Sequence, residues 1–173
     1  MSEVRIRALE PAELRALVPA LSNVLADCVE GGASVSFMSP YSRDDASVFW
    51  NRIADTAERG DVSVLVAEVD GQVSGTVQIG FDMPPNQPHR GEIRKLLVHR
   101  GARGKGLGKE LMRAAEQEAL ARGKSLLCLD TASGAAVHIY ESLGWKRVGT
   151  IPDFALLPDG GYCDTTIFYK RLA

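Results

Sequence analysis

The chain has 173 residues, with 20 Lys plus Arg against 22 Asp plus Glu and a net charge of −2. That length suits one domain with a substantial core and is too short for two ordinary ones, so a single domain is expected over residues 1–173. The near-neutral charge excludes a general nucleic-acid binder, no apolar run approaches the roughly 20 residues a bilayer span needs, and MSEVRIRALEP lacks an apolar signal core; a cytoplasmic protein without nucleic-acid or membrane partners is expected.

In chain order, residues 4–9 alternate and read as a strand. Pro11 starts a helix whose apolar positions Leu14, Leu17, Val18, Leu21, Val24, Leu25 and Cys28 recur at helical spacing. Pro19 is expected to kink or divide it, and Gly31-Gly32 to end it. Residues 33–41 read as a loop broken by Pro40. Ser42 with Asp45 marks a helix start, with Val48, Phe49, Ile53 and Ala57 on one face. Residues 61–69 and 72–81 form a hairpin about Asp70-Gly71, a type I′ signal. A Pro-rich loop, residues 83–88, leads to a strand over 91–99.

Residues 100–112 read RGARGKGLGKELM, a Gly-rich turn between a strand and an amphipathic helix. That helix carries Leu107, Leu111, Ala115 and Ala119 on its inner face and stops at Gly123. Strand 124–130, a short helix over 135–143, a strand starting at Trp145, the Asp159-Gly160-Gly161 turn and a last strand over 164–170 complete the chain. Cys28, Cys128 and Cys163 form no C-x-x-C pair, and His89, His99 and His138 lack ligand spacing, so no metal site is expected. Cys128, inside the apolar run 126–129, reads as a packed core thiol.

The turn carries the strongest chemical signal. Gly104, Gly106 and Gly108 remove the Cβ atoms that keep backbone away from a ligand. N–H groups can then converge on an anion at the positive end of the following helix, beside Arg103, Lys105 and Lys109. A phosphate or pyrophosphate is the simplest ligand. The P-loop spacing fails because Glu110 follows Gly108-Lys109 and Arg103 holds the first glycine position. The dinucleotide pattern fails because Lys109 stands where its last glycine belongs.

The remaining R-G-x-G-x-G pattern, after a strand ending Leu-Leu-Val, resembles the acetyl-coenzyme-A loop of the Gcn5-related N-acetyltransferases (GNAT). Tyr140 followed by ESLGW is similar to that family's second motif. The resemblance implies an α/β (α+β) fold with a mixed central sheet of about seven strands and about four flanking helices, and a coenzyme-binding core over about 91–145. It implies acetyl-CoA as cosubstrate, held by the backbone of Leu96, Leu97 and Val98 and by Arg103, Gly104, Lys105, Gly106, Leu107, Gly108 and Lys109. Ser133 stands where the family often has an asparagine that holds the pantetheine. An N–H, assigned to Val98, would polarise the thioester carbonyl, and Tyr140 would protonate the leaving thiolate. GGASVSFM, PNQPHRGEIRKLLV, LDTASG and TTIFYK are further similar to the tabtoxin-resistance acetyltransferases, which implies a small toxin- or antibiotic-like acceptor.

Two carboxylates are candidates for the base, Glu92 and Asp130 on neighbouring strands. If those strands splay, as in the family, each carboxylate stands on one wall of the cleft and either can take the acceptor's proton. The acceptor pocket is expected from Phe37, Met38, Tyr41 and Trp50, with Phe154 and Tyr162. Acceptor amine and hydroxyl both remain open, as do monomer and homodimer. The competing readings are a protein or peptide N-acetyltransferase and a non-catalytic acetyl-CoA-binding sensor.

Overall fold

A computed structural model describes residues 1–173. Its core is a seven-stranded sheet in the order β1-β2-β3-β4-β5-β7-β6. The strands are β1 (Val4–Ala8), β2 (Val62–Val69), β3 (Gln72–Gly80), β4 (Arg90–Val98), β5 (Leu126–Thr131), β6 (Lys146–Leu156) and β7 (Tyr162–Arg171). Helices α1 (Pro11–Ala16), α2 (Val18–Glu30) and α3 (Arg43–Glu58) precede β2; α4 (Leu107–Ala121) joins β4 to β5, and α5 (Gly134–Ser142) joins β5 to β6. No helix is long and apolar enough to cross a membrane.

Strand β2 shows why the sheet is covered on both faces. Leu65, Ala67 and Val69 point into one core with Leu107, Leu111, Ala115 and Ala119 of α4 and Tyr140 of α5. Val64 and Val66 point into the other, with Trp50 of α3 and Leu21 and Leu25 of α2. Alternate residues of a strand face opposite sides, so a strand between two helical layers is apolar at consecutive positions, as β2 is from Val64 to Ala67. Burying one such large side chain contributes about 1.5–3 kcal/mol.

Local chemistry sets the element ends. The first helix divides at Leu17, because Pro19 has no N–H to continue the ladder. Ser42 and Asp45 form a reciprocal cap on α3, with Asp45 N–H donating to Ser42 Oγ at 3.1 Å and Ser42 N–H to Asp45 Oδ2 at 2.9 Å. Asp70 (φ +50°) and Gly71 (φ +80°) make the type I′ turn. The strand expected to start at Trp145 runs from Lys146 to Leu156, despite Pro152. It lies at the sheet edge, where a missing N–H breaks no ladder, and its register shifts between Ile151 and Ala155. Cys128 is half-buried rather than fully packed, whereas Leu127 and Leu129 are buried.

Strands β4 and β5 are the parallel pair, and their ladder is short: Arg90↔Leu126, Gly91↔Leu127 and Glu92↔Cys128. Beyond Glu92 the two strands no longer pair, and a cleft opens between them. Below it, Lys170 Nζ donates to Glu116 Oε2 at 2.7 Å and to the Leu143 carbonyl at 2.6 Å. Trp145 Nε1 donates to Glu116 Oε1 at 2.9 Å. Glu116 thereby ties α4 to β7 and to the end of α5, the helix that carries Tyr140.

Removing Glu116 leaves Lys170 and Trp145 short of a partner. Glu116→Ala is expected to lower unfolding free energy by about 2 kcal/mol in denaturant titration. Asp55→Ala, which breaks the exposed pair with Arg15, is expected to lower it by less than about 1 kcal/mol. Equal losses would contradict this role of Glu116.

Candidate active site

The cleft is a cavity of about 970 Å³. Along one wall run residues 92–98 of β4, at one end the loop and first turn of α4, and opposite them residues 129–131 of β5 with Tyr140 of α5. The structure therefore brings Glu92, Leu96, Leu97, Val98, Arg103, Gly104, Gly106, Leu107, Gly108, Lys109, Asp130, Ser133 and Tyr140 to one cavity. Lys105, at the exposed tip of the loop, is not among its lining residues.

The loop is built to leave donors free. A short 3-10 turn over Arg100–Ala102 follows β4. Asp27 of α2 anchors it, accepting from the Arg100 N–H at 2.8 Å and from Arg100 Nε at 2.9 Å. Burial opposes the Asp27 charge, but the Arg100 N–H and guanidinium outweigh it and hold the carboxyl below its ordinary value. From Gly104 to Lys109 no backbone N–H donates to any group of the protein. Gly106, the residue before α4, has no side chain with which to cap the helix. An exposed run of N–H groups at a helix start suits a multi-oxygen anion.

The three glycines serve two ends. Gly104 (φ +79°) and Gly106 (φ +76°) adopt left-handed backbone with open space where a Cβ would stand. Gly108 has ordinary helical backbone, and a Cβ there would meet Ile139 Cδ1 at 2.8 Å. Gly108 thus lets α4 approach α5, a packing demand rather than a ligand demand.

Strand β4 offers its backbone to the same cavity. The His99 N–H donates to Ser74 O on β3 at 2.9 Å, so alternation turns the groups of Val98 and Leu96 away from β3. Arg103 Nε donates to the Val98 carbonyl at 3.3 Å and Cys28 Sγ to the same oxygen at 3.5 Å, leaving the Val98 N–H toward the cleft. Cys28 is buried, which pushes its thiol up and suits packing rather than reactivity.

Tyr140 is 4% exposed, packed against Trp145 and Phe168. Tyr140 lines the cavity, and no hydrogen bond ties its hydroxyl to another group of the protein. Burial, and then the charge of Asp130, push the phenol well above its ordinary value, so it carries its proton throughout the neutral range. Ser133 caps α5 by accepting from the Ala136 N–H at 3.2 Å, which leaves its own O–H free to donate.

The two carboxylates do not stand level on the neighbouring strands. Glu92 pairs with Cys128, so Asp130 lies two residues farther along, past the last paired position. Glu92 is engaged by Arg94 Nη2 at 3.4 Å, and Arg94 also reaches Asp82 at 3.0 Å. Arg94 lies flat over Gly80, where a Cβ would stand 2.5 Å from its Cζ. Asp130 accepts from Thr165 Oγ1 at 2.7 Å through Oδ2. Its other oxygen has no partner in the protein.

Of the expected acceptor-pocket residues, Phe154 lines the cavity. Trp50 is wholly buried in the α2–α3 core, Tyr162 is 70% exposed, and Tyr41 lines a separate cavity with Asp27 and His99. Met38 is exposed. Phe37 stacks on Tyr41 and lies beneath Lys95; the sequence offered Arg94 and Lys95 only as surface partners for Glu92, and Thr165 not at all. A lysine in a strand reads as solvent-facing, and it is the bulge in β4 that turns this one toward the cavity.

If the glycine loop holds an anion, Gly106→Ala should weaken acetyl-CoA binding through the left-handed strain it places on the cradle. Gly71→Ala at φ +80° puts a similar strain, about 1–2 kcal/mol, on the remote hairpin. Calorimetry is expected to show reduced affinity for Gly106→Ala alone. Parallel loss in both variants, or in neither, would contradict the assignment.

Comparison with known proteins agrees with this geometry. The model of the acetyltransferase (GNAT) family matches residues 28–145. The fold is similar to an N-acetyltransferase from Staphylococcus aureus, 21% identical, covering 99% of each chain with TM-score 0.82. It is similar to a ribosomal-protein-alanine N-acetyltransferase from Brucella melitensis, 26% identical over 97% of this chain and 99% of that one, TM-score 0.76. A phosphinothricin acetyltransferase from Sinorhizobium meliloti in complex with acetyl-CoA is 20% identical over 98% of this chain and 89% of that one, TM-score 0.79. With more than half its length matched by the family model, the chain belongs to the acetyltransferase (GNAT) family, whose members draw their acetyl group from acetyl-CoA.

Proposed function

We propose that this acetyltransferase acetylates a small molecule, of the toxin or antibiotic kind implied by its resemblance to the tabtoxin-resistance enzymes, in one active site formed where β4 and β5 separate. The observation that carries the reading is the convergence of the free N–H run at 104–109, Val98, Tyr140 and Asp130 on one cavity.

The residues present fit acetyl-CoA. The N–H groups of residues 104–109 match pyrophosphate oxygens, with Arg103, Lys105 and Lys109 adding positive charge. The outward groups of Leu96 and Val98 match the amides of a pantetheine arm, and the free O–H of Ser133 is a further donor. When bound, the coenzyme supplies an activated thioester. The Val98 N–H donates to the carbonyl oxygen as negative charge develops there. Tyr140 gives its proton to the departing sulfur; burial keeps the phenol protonated until that demand arises.

Asp130 takes the proton from the acceptor. Thr165 orients one carboxylate oxygen and leaves the other free. Asp130 shares the cavity lining with both Tyr140 and Lys95. Glu92, held by Arg94, fixes that side chain on the cleft wall and is the second candidate base.

The test follows thiol release from acetyl-CoA over a panel of amines and amino alcohols. Tyr140→Phe should lower kcat by about 10²–10⁴-fold with nearly unchanged acetyl-CoA affinity. Asp130→Asn should lower kcat more than Glu92→Gln. For an amine acceptor, raising pH should partly rescue Asp130→Asn, because the acceptor can lose its proton unaided; a hydroxyl acceptor should show little rescue. Wild-type rates in all these variants would remove both assignments.

A further inference from the structure

On the acceptor side of the cleft, one cation stands without a counter-charge. Lys95 lies where Gln78 pairs with Arg94 and Thr76 with Leu97, so two residues of β4, Lys95 and Leu96, face the single Val77 of β3. That extra residue is a β-bulge, and it turns Lys95 (φ +52°) out of the strand's alternation into the cavity. Nζ donates to Ser36 Oγ at 3.2 Å and lies 5.7 Å and 5.8 Å from the ring centres of Phe37 and Phe49. Ser36 is itself left-handed (φ +83°) and lines the same cavity.

No carboxylate comes within ion-pair distance of Lys95, although its neighbour Arg94 has both Asp82 and Glu92. A half-buried ammonium held by one hydroxyl and two ring faces keeps unmet capacity for an anion. Desolvation and the charge of Arg94 disfavour its charged form, and Asp130 only partly offsets them. Across the cleft stands Asp130, which suits an amine or hydroxyl, while Glu92 on Lys95's own wall is held by Arg94. The pocket is therefore charged in two places, with the cation set away from the base.

We propose that Lys95 is the anion-binding residue of the acceptor pocket, and that the acceptor carries a carboxylate or an equivalent oxyanion beside its reacting amine or hydroxyl. This rests on the acetyltransfer reading above and narrows its substrate class. Simple shielding of Phe37 and Phe49 by the lysine stem is the competing role, and it makes no demand on acceptor charge.

The experiment compares free L-amino acids with their carboxamides, and with spermidine as an acceptor lacking an anion, by thiol release from acetyl-CoA. Carboxylate acceptors are expected to exceed their carboxamides by about tenfold or more in kcat/KM, the scale of one charge-assisted hydrogen bond. Lys95→Met should abolish that preference through KM, with acetyl-CoA affinity by calorimetry unchanged as the check on folding. Lys95→Arg should keep part of it. The proposal is overturned if the preference survives in Lys95→Met, or if carboxamides or spermidine match the carboxylates in the wild type. It also falls if no carboxylate is turned over. Turnover of spermidine without carboxylates sinks this inference alone, whereas absence of thiol release with every acceptor sinks the acetyltransfer reading with it.

Discussion

The site depends on one interrupted ladder. Strands β4 and β5 pair in parallel only from Arg90 to Glu92 and from Leu126 to Cys128. Past that point each strand has main-chain groups with no neighbour, which a packed interior would not tolerate. The separation becomes useful because the sheet is held on either side of it. Strand β4 stays paired with β3, and β5 with β7. Helix α4 supports both walls from beneath, and Glu116 on that helix fixes Lys170 and Trp145 below the β5 side. A rigid frame with a gap can present backbone donors to a ligand without first rearranging, which is where most of an enzyme's electrostatic stabilisation resides.

Two kinds of polar group meet in that gap. Backbone N–H groups of residues 104–109 and of Val98 have directions set by the chain trace, so they suit a ligand that every family member shares. Side chains of Lys95, Glu92, Asp130 and Tyr140 can be exchanged without moving the trace, so they suit chemistry and acceptor choice. The bulge at Lys95 sits at the boundary between these sets. It interrupts the pairing of β4 with β3, which resumes at Leu97 and Thr76, and aims a side chain where alternation would not have put it.

Much of this was legible in the residues. The loop glycines, the capping pair Ser42 and Asp45, the Asp70-Gly71 turn and the inner face of α4 all express local rules that need no knowledge of distant contacts. Tyr140 and the loop were legible through motif spacing. What escaped notice depends on pairing between strands. The offset of Asp130 from Glu92 follows from a register that no single strand reveals. Lys95 looked like a surface residue because its direction is set by an extra residue opposite Val77. Arg94 crosses Gly80, and Gly108 is glycine because Ile139 stands over it; both are close approaches created by tertiary structure. Trp50 on α3, expected in the acceptor pocket, went to the core, as large apolar side chains on covering helices commonly do, and Tyr41 in the loop before α3 went to another cavity.

The central claim is that the separated strands and the free N–H run form one binding surface for the coenzyme. Amide chemical shifts of the ¹⁵N-labelled protein on addition of acetyl-CoA test it most directly. The account predicts the largest perturbations at residues 104–109, together with Leu96 and Val98, and small ones in the Asp70-Gly71 hairpin. Saturating binding that leaves residues 104–109 unshifted while perturbing another face of the protein would contradict it.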